Sequence, residues 1–283
     1  MEAGKYFLCN GKLIAKGKAV ISADNRSFRF GDGCFETMKM TNNNIVLSSY
    51  HFERLLSSLP VLKFEIPEYF TAAYLSEQIK NLALKNGHTM LARIRLTIFR
   101  GDGNLYDYEN NFPNYIIQTW ALNTHVSMFN KKGLATGIYV NARKTSDDFS
   151  HIKSNNFLPY AMAAIWVKEN KLDDAIILNN YNRIAEATMA NIFLVKDGKI
   201  KTPALTEGCV NGVMRRYLIE CIKKENIPFE ETMITTDALA DANELFTTNA
   251  VRGINWIATC DKNNYGFQLA AYLHDRFLVS LSG

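Results

Sequence analysis

Lys153 stands in the polar run His151-Ile152-Lys153-Ser154-Asn155-Asn156-Phe157-Leu158-Pro159, just ahead of a segment with helical spacing. Glu186 stands in Arg183-Ile184-Ala185-Glu186-Ala187-Thr188-Met189-Ala190-Asn191-Ile192-Phe193, which otherwise reads as buried strand. A lysine amine that can form a Schiff base and a carboxylate that can hold a pyridinium nitrogen are the two side chains that pyridoxal 5'-phosphate chemistry requires. The amine must be neutral to react, so the ordinary lysine pKa of about 10.4 has to be lowered by desolvation or by nearby positive charge. The carboxylate favours the protonated ring nitrogen, which then draws electrons from the reacting carbon. Each residue also has an ordinary reading: Lys153 as a solvated surface charge, and Glu186 as a strand-end partner of Arg183.

The elements that must position these residues are legible in outline. Asn10-Gly11 supports the positive φ angles of a tight turn, so residues 6–8 and 12–14 form an opening hairpin. Residues 35–40 and 45–47 flank Asn42-Asn43-Asn44 in the same way. Helical spacing predicts a helix over 49–59 stopped by Pro60, and another over 67–86, with Pro67 in its first turn and Gly87 beyond its end. Strands follow over 91–99 and 115–120. Polar residues and Gly133 then interrupt the apolar pattern, so the expected division is a smaller N-terminal α/β domain over 1–120, a linker over 121–133 and a larger C-terminal domain over 134–283. The second domain is expected to hold strands at 138–140, 175–178, 191–195 and 244–247, with helices at 156–170, 212–226 and 266–281. The fold class is α+β or mixed α/β.

Composition permits such an enzyme and narrows the other classes. A chain of 283 residues with 47% apolar content is long enough for about two domains with their own cores. A net charge of +4, with no run of Lys or Arg, gives no footprint for nucleic acid or an anionic membrane. No stretch reaches the ~18 apolar residues of a membrane span, and the N-terminus lacks the apolar region of a secretion signal. The five cysteines are scattered without ligand spacing, which fits a reducing compartment, and a cytoplasmic location is the default. Asp147-Asp148 and Asp173-Asp174 read as solvated turns rather than a metal site, and Gly31-Asp32-Gly33 is too short for a dinucleotide fingerprint.

Two further groupings suit a phosphate. Arg54 follows His51 by three residues and shares a helical face with it. Gly212-Val213-Met214 opens a helix whose free N–H groups form an anion site. Taken with Phe30-Gly31-Asp32-Gly33-Cys34-Phe35-Glu36-Thr37, Ile152-Lys153-Ser154, Glu186-x-x-x-x-Asn191-Ile192-Phe193, Asn211-Gly212-Val213-Met214-Arg215 and Thr248-Asn249-Ala250, they form an ordered set. That set resembles the class IV (fold-type IV) pyridoxal phosphate enzymes: branched-chain aminotransferases, D-amino acid aminotransferases and aminodeoxychorismate lyases.

The resemblance spans nearly the whole chain. It implies a two-domain fold with the cofactor at the domain junction, and a homodimer whose partner closes the active site. It implies Lys153 as the cofactor-bearing lysine and general base, and Glu186 as the partner of the ring nitrogen. Arg54, Asn191, Gly212, Val213, Met214, Thr248 and Asn249 join them around the cofactor, with His51 supporting Arg54. Phe35, Arg29, Arg95 and Arg252 are the substrate-side candidates, the three arginines as carboxylate anchors and Arg29 reaching the partner's site.

Phe157 stands where many branched-chain enzymes carry a tyrosine segment, and Lys39 stands where they often carry arginine. No Arg-x-His follows Arg100-Gly101, as it does in typical D-amino acid enzymes. Several local runs look most like the lyases. The expectation is amino transfer between an amino acid and a 2-keto acid, with 4-amino-4-deoxychorismate lysis as the alternative and a non-catalytic carrier of the cofactor as a third reading.

Overall fold

A computed structural model describes residues 1–107 and 109–282; Gly283, the last residue of the expected C-terminal domain, lies outside them. The chain groups into two units, Met1–Val126 with Ile152–Asn156, and Ser127–His151 with Phe157–Gly283.

Unit 1 contains β1 (Glu2–Ala3), β2 (Tyr6–Cys9), β3 (Lys12–Ala15), α1 (Arg26–Phe30), β4 (Gly33–Thr41), β5 (Asn44–Ile45), α2 (Ser48–Val61), α3 (Ala72–Asn86), β6 (Leu91–Phe99) and β7 (Asn114–Ala121). Its antiparallel sheet runs β3-β2-β7-β6-β4-β5, with β1 also paired to β7. The β4–β6 ladder extends from Gly33 opposite Phe99 to Thr41 opposite Leu91. Side chains alternate across it. Cys34, Met38, Met40, Ile94, Leu96 and Ile98 pack into one core with Phe52, Leu55 and Leu59 of α2 and Leu75, Ile79 and Leu82 of α3. The other face carries Phe35, Thr37, Lys39, Arg93, Arg95 and Thr97.

Two helix limits differ from the expectation. Pro60 lies inside α2, in its last turn, where the lost N–H costs one bond and the helix ends a residue later. The helix expected from Pro67 begins instead at Ala72: the Phe70 N–H bonds the Pro67 carbonyl in a turn, and the Thr71 side chain caps α3 by accepting from the Tyr74 N–H. The other end is as expected, with Gly87 in the left-handed conformation.

Unit 2 contains β8 (Leu134–Lys144), α4 (Leu158–Glu169), β9 (Asp174–Asn179), β10 (Ile184–Ala187), β11 (Asn191–Lys196), β12 (Lys199–Pro203), α5 (Val213–Lys224), β13 (Phe229–Thr232), α6 (Ala238–Asp241), β14 (Glu244–Asn249), β15 (Gly253–Cys260), β16 (Asn263–Asn264) and α7 (Gln268–Leu273). Its mixed sheet runs β10-β9-β8-β15-β14-β11-β12-β13, with β16 on β15. The β8–β9, β8–β15 and β12–β13 pairs are parallel and the others antiparallel. Tyr160 and Ala163 of α4 are buried with Tyr139, Ala175 and Ile177. The single helix expected over 266–281 is instead α7 followed by a π turn at His274–Leu278 and a 3-10 turn at Val279–Ser282. No helix among the described residues is long and apolar enough to cross a membrane.

Candidate active site

In unit 1, the segment carrying Lys153 is stitched to the start of β4. The Phe35 N–H donates to the Lys153 carbonyl at 2.9 Å, the Asn155 N–H to the Gly33 carbonyl at 2.9 Å, and Cys34 and Ser154 form an antiparallel bridge. Gly33 makes this approach possible: its φ is +150°, and a Cβ there would meet the Ile98 carbonyl at 2.2 Å. Strand alternation then sends Phe35 and Glu36 to opposite faces. The Phe35 ring carries two cations, with the Lys153 Nζ 4.6 Å and the Arg95 Cζ 3.8 Å from its centroid.

Glu36 turns toward α2. Arg54 donates from Nε to Oε1 at 2.7 Å and from Nη2 to Oε2 at 2.6 Å, while His51 Nδ1 lies 2.6 Å from Oε2. All three are buried. Burial alone would raise the Glu36 pKa, but Arg54 and His51 override it and hold the carboxyl down at about 2. Burial lowers the pKa of His51 in spite of the Glu36 charge. A neutral ring beside an ionised, acceptor-only carboxylate must carry its proton on Nδ1, so Nε2 is left as a buried acceptor. That Nε2 has no hydrogen-bond partner among the described residues. Sequence spacing paired His51 with Arg54 but missed the acid that joins them. Its signal was an acidic residue at a position where alternation along β4 demands core.

In unit 2, Glu186 lies on β10, every residue of which is buried. Its Oε1 accepts from the Tyr160 hydroxyl at 2.5 Å and lies 3.3 Å from the Lys144 Nζ, which itself donates to the Tyr160 oxygen at 2.6 Å. Its Oε2 accepts from the Val210 N–H at 3.0 Å. Burial and the neighbouring carboxylate push the Tyr160 pKa far up, so the hydroxyl keeps its proton and donates. Arg183 is not the partner: its Nε is 2.6 Å from Glu207 Oε2. Tyr160 and Lys144 were not singled out in the sequence, where they lie far from Glu186 and carry no motif.

The same loop continues into an anion cradle. Asn191 Nδ2 donates to the Val210 carbonyl at 2.8 Å, and a Cβ on Gly212 would fall 1.9 Å from Asn191 Oδ1. The first turn of α5, with Val213 and Met214, has no side-chain cap. Thr248 lies directly opposite Asn191 in the β11–β14 ladder, and its buried Oγ1 has no hydrogen-bond partner among the described residues. Uncapped N–H groups, an unsatisfied hydroxyl and a position closed to any Cβ suit a phosphate, as the held carboxylate of Glu186 suits a ring nitrogen. The Asn249 side chain accepts from the N–H groups of Val251 and Arg252 at 3.1 and 2.8 Å and so builds the turn after β14. Arg252 and Arg29 are exposed, whereas Arg95 is half-buried on Phe35. No group of His, Cys, Asp and Glu among the described residues is placed to hold a metal ion.

An aminodeoxychorismate lyase of Vibrio harveyi is 29% identical over 232 residues, covering 81% of this chain and 83% of that protein. A D-alanine aminotransferase of Listeria monocytogenes is 25% identical over 285 residues, covering 97% and 96%. The crystal structure of the branched-chain aminotransferase of Thermoproteus uzoniensis with norvaline has the same fold, with a TM-score of 0.87 at 23% identity over 99% of this chain and 95% of that one. Residues 33–260, a span drawn from both units, match amino-transferase class IV. The chain therefore belongs to the class IV amino-transferases, a family of pyridoxal phosphate-dependent enzymes.

Proposed function

We propose that the protein is a pyridoxal 5'-phosphate-dependent aminotransferase, a cytoplasmic homodimer that moves an amino group between an amino acid and a 2-keto acid. The observation that carries this reading is the unsatisfied Thr248 hydroxyl set against Asn191 and the uncapped start of α5, in the same loop that fastens Glu186 through Val210. When bound, the cofactor supplies the electron sink for bonds at an amino-acid carbon.

This chain's residues do the rest. The N–H groups of Val213 and Met214, the Thr248 hydroxyl and Arg54 hold the phosphate, while Gly212, Asn191 and Asn249 shape the backbone around it. Glu186 keeps the proton on the ring nitrogen. Lys153 would carry the cofactor, and its Nζ would take the proton from the substrate Cα. Phe35 and Arg95 flank Lys153 on the substrate side, and Arg252 and, from the dimer partner, Arg29 are further carboxylate anchors.

The 29% identity to a named lyase supports a second reading, in which the same groups act on aminodeoxychorismate and pyruvate leaves. Borohydride reduction of the yellow holoenzyme, followed by peptide mass, is expected to place the cofactor on Lys153; an adduct elsewhere overturns both readings. Pooled L- and D-amino acids without acceptor are then expected to convert the cofactor to its amine form, and a keto acid to restore it. Efficient release of pyruvate and 4-aminobenzoate from aminodeoxychorismate, with negligible conversion by amino acids, would establish the lyase instead.

A further inference from the structure

One cation of unit 2 stands against Glu186 without a part in the proposed chemistry. Lys144, the last residue of β8, has a side chain only 13% exposed, and its Nζ is 3.3 Å from Glu186 Oε1. The strand register delivers it there. Tyr139 of β8 stands opposite Ile177 of β9, but pairing resumes only at Lys144 opposite Asn179, so β8 uses five residues where β9 uses two. Regular pairing would have set Asn141 opposite Asn179, and a shift of register re-aims the side chains beyond it. Val140 and Asn141 turn out to solvent in this excursion. Arg143 braces it, donating from Nη1 to the carbonyls of Val140 at 2.6 Å and Ala142 at 3.0 Å, and from Nε to Asn182 Oδ1 at 3.0 Å.

Donor and acceptor chemistry then fixes the charge around Glu186. An ammonium only donates, so the Tyr160 oxygen accepts from Lys144 at 2.6 Å and the hydroxyl proton is left for Glu186 Oε1. Burial and the Glu186 charge push the Tyr160 pKa far up, and burial pushes the nearby Cys209 thiol up to about 12, so both groups stay neutral. Cations on the flanking segments are committed elsewhere, Arg183 to Glu207 and Arg215 to Glu231. Lys144 is therefore the cation that Glu186 faces.

A buried carboxylate deprived of its cation is strongly destabilising, and a protonated ring nitrogen is itself a cation brought to the same carboxylate. We propose that Lys144 is a place-holding counter-charge, which pairs with Glu186 before the cofactor binds and competes with the ring nitrogen for it afterwards. The inference rests on the reading above, because it takes Glu186 as the partner of the ring nitrogen. Removal of Lys144 acts unequally on the two forms of the protein. The cofactor-free form loses the partner of a buried charge, whereas in the holoenzyme the ring nitrogen replaces that partner. By linkage, a change that destabilises the free form more than the bound form tightens binding.

The test is fluorescence titration of the cofactor-free chain with pyridoxal 5'-phosphate and with its 1-deaza analogue, in which C–H replaces the ring nitrogen. Lys144→Met is expected to raise the preference for pyridoxal 5'-phosphate over the analogue about tenfold, and Lys144→Arg to leave it within about twofold of wild type. The melting temperature of Lys144→Met is expected to fall without cofactor and to recover more on saturation with pyridoxal 5'-phosphate than with the analogue. In a Glu186→Gln background the same replacement is expected to leave the preference within about twofold, which ties the effect to the carboxylate. If Lys144→Met does not fold without cofactor, Lys144→Gln decides the matter. An unchanged or diminished preference in the neutral variant, or an equal rise in the Glu186→Gln background, overturns the place-holding role. A wild type that takes up neither compound, or a borohydride adduct elsewhere than Lys153, overturns the underlying reading instead, so the two failures are separable.

Discussion

At Glu36, burial and pairing pull one carboxylate in opposite directions, and the consequences appear as pH dependence. Its pKa is held at about 2 against an ordinary 4.5, which corresponds to about 3 kcal/mol of stability. That contribution is complete above pH 4.5 and is lost as pH falls toward 2. His51 acts in the same direction, because its pKa is lowered from 6.5 and the buried neutral ring must be charged in acid. Urea titrations from pH 7 to pH 3 are therefore expected to show stability falling from below pH 6.5 and more steeply below 4.5. Glu36→Gln should cost about 3–5 kcal/mol at pH 7, since it leaves Arg54 buried without its counter-charge, and should flatten the profile below pH 4.5. An unchanged profile in that variant would refute the assignment. Tyr160→Phe tests the other carboxylate. It removes one donor from Glu186 but leaves Lys144 within reach, so a loss of about tenfold in kcat is expected, with cofactor affinity changed by less. Single-turnover rates at saturating cofactor make the comparison, and full activity would show that Glu186 does not depend on this hydroxyl.

The loop from Val210 to α5 is an element whose parts work only together. Gly212 has an ordinary negative φ, so it is needed for space rather than backbone freedom. Gly212→Ala should push Asn191 out of its bond to Val210, weaken cofactor binding by about one to two powers of ten, and cost the apo protein about 1–2 kcal/mol. Fluorescence titration of the apo enzyme and its thermal unfolding separate the two effects. A stable variant with undiminished affinity would remove the phosphate from this loop. Here the sequence was informative, because a glycine ahead of an apolar-periodic helix is a local signal. The strand Leu91–Phe99 was legible to the residue for a similar reason: its alternation is strict and both ends are marked. The short strands β10, β12 and β13 were not legible as separate elements. β10 is buried throughout by neighbours distant in sequence, and Glu186 gains Tyr160 and Lys144 only through that packing, whereas no residue of β13 is buried and β12 mixes buried and exposed positions. Glu36 was hidden likewise, since its partners lie a helix away.

On the scale of the whole molecule, Phe28 and Tyr106 are 76% and 93% exposed on neighbouring segments that the Arg26 bond to the Asp107 carbonyl ties together. Exposed aromatics so grouped suit the surface that the proposed homodimer requires. Sedimentation is expected to give twice the chain mass of 32.1 kDa, and Phe28→Asp with Tyr106→Asp to shift it toward the single-chain value. A wild type that stays monomeric while active would refute the homodimer. The five residues Ile152–Asn156 have a different consequence. They belong to unit 1, yet the chain on either side of them belongs to unit 2. No single break in the polypeptide can therefore free one unit with its full complement of residues, and a fragment ending at Val126 lacks the strip that pairs with Cys34. In the history of such a gene, a crossover at the Val126–Ser127 boundary would separate Lys153 from the strand that seats it. A crossover beyond Asn156 passes the lysine on together with Gly33 and Phe35, but carries Ser127–His151 of unit 2 along with them.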